Sequence, residues 1–200
     1  MRKEKILIVV DMQLDFIDGP LGNPEAQAIV PKVVEKIKNW NGLIAITQDT
    51  HDKNYLNTAE GKKLPIEHCI EKTAGWSLCS EVERALKDKE TLGVFLKETF
   101  GSIPLMETLN STMVLTTPNS FSSNFQKILP SEIHLVGLDT DICVISNALL
   151  AKAYFPEVPI IVDASCCAGS TPENHRAALQ IMKCCQIDVI NEEENKYDLN

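Results

Sequence analysis

The run Ile6-Leu7-Ile8-Val9-Val10, followed at once by Asp11, constrains this chain more than any other feature. A continuous apolar, β-branched stretch bounded by a carboxylate has the period of neither an amphipathic helix nor a half-exposed strand. It reads as a strand buried on both faces, which occurs where helices cover a parallel sheet on each side. The pattern repeats along the chain. Leu43 to Thr47, Thr91 to Leu96, Ile133 to Leu138, Val158 to Val162 and Gln186 to Ile190 read as further strands.

Helical segments separate them. Pro24 to Trp40 places Ile29, Val33, Ile37 and Trp40 on one side, and Gly42 closes it. Ser77 is the expected N-cap of a helix reaching about Lys89, and Ile103 to Leu109 is a short helix. Val144 to Ala153 lacks Gly and Pro. Thr171-Pro172 opens a helix that turns Ala177, Ala178, Ile181 and Met182 inward. Between residues 112 and 130 the expectation is a strand over Met113–Thr117 and a helix over Ser120–Leu129. From Asn191 the acidic tail is expected to fray. Alternating strands and helices predict one α/β domain spanning residues 1–200, doubly wound and Rossmann-like, with a mostly parallel sheet flanked by helices on both faces.

Composition removes several function classes. With 44% apolar and 24% charged residues the chain has an ordinary globular makeup, and no apolar run approaches bilayer length. The opening apolar run is too short for a signal sequence, so a cytoplasmic location is expected. Lys and Arg number 19 against 28 Asp and Glu, and no basic cluster stands out, which argues against nucleic acid as a partner. Seven cysteines, with no CxxC pair, suit reduced thiols rather than a disulfide framework or a zinc ribbon. Most are expected to be packing residues, with Cys166-Cys167 and Cys184-Cys185 each placing one thiol on either side of their element.

In an open parallel sheet, ligands bind beyond the carboxyl ends of the strands. Those ends are polar here. Asp11 follows the first strand, Asp49 and His51 the second, Lys97 the third, and Asp163 is expected to end a later one. The strand ending at Leu138 leads through Asp139, Thr140 and Asp141 to Cys143, just ahead of a helix. Free N–H groups and the positive end of a helix dipole there would lower a thiol pKa and receive an oxyanion. A buried structural cysteine is the alternative. The segment from Gln48 to Trp76 is long, polar and irregular, which in a compact domain usually marks function.

Five segments in order resemble the isochorismatase-like cysteine hydrolase superfamily, and within it the nicotinamidase branch. They are Ile8-Val9-Val10-Asp11-Met12-Gln13-Leu14-Asp15-Phe16, Thr47-Gln48-Asp49-Thr50-His51, Leu64-Pro65-Ile66-Glu67-His68-Cys69 with Gly75-Trp76, Phe95-Leu96-Lys97 with Phe100, and Val136-Gly137-Leu138-Asp139-Thr140-Asp141-Ile142-Cys143-Val144. The resemblance runs from about residue 6 to 190. It implies a catalytic triad of Asp11, Lys97 and Cys143, an oxyanion hole from the backbone N–H groups of Asp139 and Cys143, and a cis peptide between Leu138 and Asp139. It also implies aromatic walls from Phe16 and Phe100. Trp76 is explained equally by core packing.

The same resemblance implies one divalent metal ion, zinc first, with iron or manganese as alternatives. The expected ligands are Asp49, His51, Glu60 and His68. Many members place a histidine where this chain has Asn57, and Glu60 then stands in as the fourth ligand. His134 and His175 are read as structural. The implied activity is hydrolysis of a small amide, nicotinamide to nicotinate and ammonia. The alternatives are another small amide or carbamoyl compound, or a non-catalytic metal or thiol protein on the same fold. A homo-oligomer, dimer or larger, is expected of the family.

Overall fold

The computed structural model describes residues 2–111, 113–115 and 125–192. The strands are β1 (Arg2–Val10), β2 (Leu43–Asp49), β3 (Thr91–Lys97), β4 (Met113–Leu115), β5 (Phe125–Leu138), β6 (Ile160–Ala168) and β7 (Asp188–Ile190). The helices are α1 (Leu14–Ile17), α2 (Pro24–Asn39), α3 (Ser80–Leu86), α4 (Ile103–Ser111), α5 (Ile145–Tyr154) and α6 (Pro172–Cys184). Six strands form one sheet in the order β3-β2-β1-β5-β6-β7, all neighbours parallel, and β4 pairs antiparallel with the start of β5.

β1 shows why the opening run had to be a central strand. Ile6 to Val10 are fully buried, with Ile6, Ile8 and Val10 on one face and Leu7 and Val9 on the other. The first face packs on Leu105, Met106 and Leu109 of α4, Ala148 and Ala151 of α5, and Ala178, Leu179 and Met182 of α6. The second packs on Ala26, Ile29, Val33 and Ile37 of α2 and on Val82 and Ala85 of α3. Burial of each of the Val, Leu, Ile and Met side chains here contributes roughly 1.5–3 kcal/mol, and an alanine methyl much less. Asn23 caps α2 by accepting from the Ala26 N–H at 2.8 Å, with Pro24 at the first turn.

The strand order reverses between β1 and β5, so their carboxyl ends flank the crevice where such sheets bind ligands. Gly137 makes this closeness possible. Its φ is +121°, and a Cβ there would lie 2.0 Å from the Val10 carbonyl oxygen. No other residue fits that approach.

Several local expectations are corrected. Phe125 to Leu129 are strand, not helix, because β5 begins early and pairs with β1 from Arg2 onward; residues 120–124 of that expected helix, and Thr116 and Thr117 of the expected strand, lie outside the described residues. So do the residues of the expected frayed tail from 193. Cys79, not Ser77, occupies the N-cap of α3, since Leu78 is drawn into a bridge with Gln13 and the Cys79 N–H donates to Met12. Asp163 does not end its strand: β6 runs on to Ala168, and Asp163 is held inside it by Lys36, Ser165 and Asn191. Cys166 and Cys167 do face opposite cores, but Cys184 and Cys185 are both exposed at the end of α6 rather than packed. His134 is structural as expected, pairing with Glu132 at 2.7 Å beside the Trp40 ring.

Candidate active site

Asp11, Lys97 and Cys143 meet at the strand ends. The Lys97 Nζ lies 2.7 Å from Asp11 Oδ2, 3.0 Å from Asp49 Oδ1 and 3.4 Å from Cys143 Sγ. All four residues are buried. Asp11 sits at the β1 exit with φ +47°, a left-handed turn that aspartate tolerates better than most residues. Its other oxygen accepts from Thr47 Oγ1 at 2.7 Å.

Cys143 lies in a single π turn, Thr140–Val144, immediately before α5. The Asp139 carbonyl accepts from both the Ile142 and the Val144 N–H at 3.0 Å, which ties the turn back to the end of β5. Asp141 secures it from outside, accepting from the Ser170 N–H at 2.8 Å and the Ser170 hydroxyl at 2.6 Å. Asn147 secures it from within, donating to the Cys143 carbonyl at 2.8 Å while its amide oxygen accepts from the Ser102 N–H. The Leu138–Asp139 peptide is cis, as the resemblance implied.

Electrostatics differ from the expectation in one respect. Burial pushes the Cys143 thiol well above its ordinary value; Lys97 opposes this, but Asp11 and Asp49 reinforce it. The helix that follows does not offset that burial. Burial likewise raises Asp11, against the pull of Lys97. Burial acts to lower Lys97, yet Asp11, Cys143 and Asp49 together hold it well above the usual lysine range. Burial thus disfavours both the thiolate and the Asp11 carboxylate, and Lys97 is the cation that opposes it at each.

Next to it lies a second cluster. His51 Nε2 is 3.1 Å from Asp49 Oδ2, and His68 Nε2 is 3.5 Å from the same oxygen. Glu60 Oε1 stands 3.7 Å from His51 Nε2 and 3.9 Å from His68 Nε2. Of the four residues expected as ligands, Asp49, His51 and His68 thus converge, while Glu60 faces the two imidazoles from outside that group. Asp49, His51 and His68 are buried, with their donor atoms within 4.8 Å of one another. The His68 Nδ1–H donates to the Ile66 carbonyl at 2.9 Å, which turns Nε2 toward Asp49 and the cluster, the usual orientation of a ligating imidazole. Burial alone would raise the Asp49 carboxyl, but His51, His68 and Lys97 hold it well below the ordinary range. A carboxylate and imidazole set of this kind fits a divalent zinc, iron or manganese ion.

Supporting residues not named from the sequence complete the site. The Gln13 side chain clamps Asp49 at both backbone groups, donating to its carbonyl at 2.8 Å and accepting from its N–H at 2.7 Å. The Tyr55 ring packs against both imidazoles, 4.6 Å from His51 and 4.9 Å from His68 between centroids. Asp15 accepts from the Cys69 N–H at 2.7 Å and so anchors the loop carrying His68. Gly75 passes so near that a Cβ would sit 2.0 Å from the Asp15 carboxylate. Gln13 was discernible as a polar residue two beyond Asp11; the role of Tyr55 had no signal in sequence.

The aromatic positions divide. Phe16 is buried, its ring 5.6 Å from that of His68. Phe100 is 46% exposed, and its carbonyl accepts from Asn147. Trp76 is only partly buried; its indole donates to Thr50 Oγ1 at 2.9 Å.

Similarity to known proteins agrees with this arrangement. The chain is 27% identical over 216 aligned residues to a nicotinamidase from Schizosaccharomyces pombe, covering 94% of this chain and 93% of that one. Among solved structures, it resembles a pyrazinamidase of Pyrococcus horikoshii in complex with zinc, with a TM-score of 0.72, 25% identity, and coverage of 94% of this chain and 98% of that one. A nicotinamidase/pyrazinamidase from Bacillus subtilis shares the fold at a TM-score of 0.67 and 23% identity, covering 94% of this chain and 99% of that one. The isochorismatase domain model matches residues 5–194, and with that match over nearly its whole length the chain belongs to the isochorismatase family.

Proposed function

We propose that this chain is a metal-assisted cysteine amidohydrolase that converts nicotinamide to nicotinate and ammonia. The observation that carries the reading is the contact of one lysine, Lys97, with a carboxylate base, a thiol and a metal-type cluster at once. The 27% identity to a nicotinamidase along nearly the full chain supports the substrate.

Catalysis begins from the protonated thiol. As Cys143 Sγ attacks the amide carbon, Asp11 takes its proton; burial has raised that carboxyl and so made it a stronger base. The N–H groups of Asp139 and Cys143 receive the oxyanion. Lys97 stays charged and holds Asp11 while negative charge moves from carboxylate to substrate. Asp11 then protonates the leaving nitrogen, ammonia departs, and a thioester remains on Cys143. Water attacks the thioester, losing its proton to Asp11, which returns it to sulfur as nicotinate leaves.

Asp49, His51 and His68, with Glu60, would hold the divalent ion. When bound, it supplies a Lewis-acidic anchor for the ring nitrogen or for a water beside it. Phe16 and Phe100 would wall the flat ring. Seven unbridged cysteines suit a reducing compartment, which supports a cytoplasmic site of action; no helix among the described residues is long and apolar enough to cross a membrane. Self-association would cover Val94 and Leu96, two exposed apolar side chains on the edge strand β3.

The test is ammonia release from nicotinamide and from a panel of small amides. Cys143→Ala should abolish it with an unchanged melting profile. Full activity in that variant, or ammonia from other amides but not from nicotinamide, would overturn the proposal.

A further inference from the structure

Among the described residues, three buried side-chain polar atoms lack a hydrogen-bond partner: Asp11 Oδ2, His134 Nδ1 and Asp139 Oδ1. Asp11 Oδ2 faces the Lys97 ammonium at 2.7 Å. His134 Nδ1 belongs to a ring whose other nitrogen is paired with Glu132. Asp139 Oδ1 has neither form of relief, although its residue is only 6% exposed. A buried acceptor left unmatched is costly and calls for an explanation, and in a site that explanation is often an absent ligand.

Asp139 follows directly on β5 and opens the turn that leads to Cys143. The charges that act on the Asp139 carboxyl are those of Asp141, Asp11, His68 and Lys97. Asp141 is committed to Ser170 through both oxygens. The other three belong to the reacting centre and the ligand cluster. Asp139 also anchors the turn that carries Cys143, through its own carbonyl. Burial, with Asp141 and Asp11, pushes its carboxyl up to about 7, so near neutral pH it exchanges readily between acceptor and donor forms.

We propose that the Asp139 carboxyl is the receptor for the leaving nitrogen of the substrate, so that the site selects compounds with N–H on the scissile carbonyl, primary amides and carbamoyl groups, over esters of the same acid. This rests on the proposed function, in which the Asp139 N–H receives the carbonyl oxygen. A carboxamide carries its oxygen and nitrogen on one carbon. A residue that binds the oxygen through its backbone has its own side chain within reach of the nitrogen. An ester offers no donor there and turns lone pairs toward the carboxylate instead.

The experiment compares kcat/KM for nicotinamide and methyl nicotinate in the metal-loaded wild-type chain, Asp139→Ala and Asp139→Asn. For Asp139→Ala, the loss on the amide should exceed the loss on the ester by about 10- to 100-fold, the span of one hydrogen bond to a charged group. Asp139→Asn, which keeps the shape and one acceptor oxygen, should recover part of that difference. A turn merely loosened by the substitution would slow both substrates alike. Equal losses on the two substrates, or no loss on the amide, would overturn the inference while leaving the proposed function standing. A wild-type chain that cleaves neither compound would instead remove the proposed function, and this inference with it.

Discussion

Asp49 divides its carboxylate between two tasks: Oδ1 lies 3.0 Å from the Lys97 Nζ, and Oδ2 faces His51 and His68 at 3.1 and 3.5 Å. The ligand cluster and the thiol are therefore joined through one side chain. Asp49→Asn keeps the shape but removes the charge that both sides use. The expected result is a fall of at least about 10-fold in zinc affinity, measured by competition with a chelator, together with a changed rate of Cys143 alkylation. Loss of zinc binding with an unaltered thiol would show the two halves to be independent.

Lys97 is the cation that makes Asp11 tolerable in a buried position. Lys97→Met should destabilise the fold by about 3–5 kcal/mol, because it strands an uncompensated carboxylate. Adding Asp11→Asn to that variant should restore much of the stability without restoring activity. Denaturant unfolding of the two variants checks both statements, and a double variant no more stable than the single one would refute the first.

The thiol of Cys143 is raised by burial despite Lys97, whereas Cys184 and Cys185 are exposed. In the absence of substrate, iodoacetamide at pH 7 should therefore label Cys184 and Cys185 well before Cys143. Labelling of Cys143 should climb only at a pH higher than that at which the exposed thiols react, the direction set by a thiol held above its ordinary value. Mass spectrometry of the labelled chain decides this. Rapid labelling of Cys143 at pH 6 would mean a resting thiolate and a different first step.

Far from the site, the Asp163 carboxyl is pushed up by burial but held below its ordinary value by Lys36 at 2.6 Å, with Asn191 and Ser165 adding to the effect. A depressed carboxyl stabilises the fold above its unfolded pKa, and that contribution is lost as the pH falls through the lower folded value. Lys36→Met should accordingly cost about 1–3 kcal/mol between pH 5 and 8, and the deficit should shrink below about pH 4. Thermal unfolding across that range measures it, and a deficit independent of pH would assign the loss to packing instead.

Legibility from sequence followed the range of the forces involved. The apolar run at Ile6 to Val10 and the helix starts at Pro24 and Pro172 declare themselves because burial period and capping are local properties. Residues 125–129 are strand and not the expected helix because Phe125 to Lys127 pair with β4 and Ile128 and Leu129 pair with Arg2 and Lys3, the latter over a hundred positions away. The N-cap at Cys79 was missed for a like reason, since Met12 and Gln13 hold the preceding residues in place.

In the site, the sequence by itself determined which reactive groups stand at the strand ends, since each follows directly on an apolar run: Asp11, Asp49 with His51, Lys97 and, through a short turn, Cys143. Only the tertiary structure decided their charge states and their connections. Burial raises the Cys143 thiol, Tyr55 and Gln13 orient the cluster around Asp49, and Asp139 is left with an unmatched oxygen. Solvent exclusion and side-chain contact depend on every element packed around a residue, and no single stretch of chain carries that information.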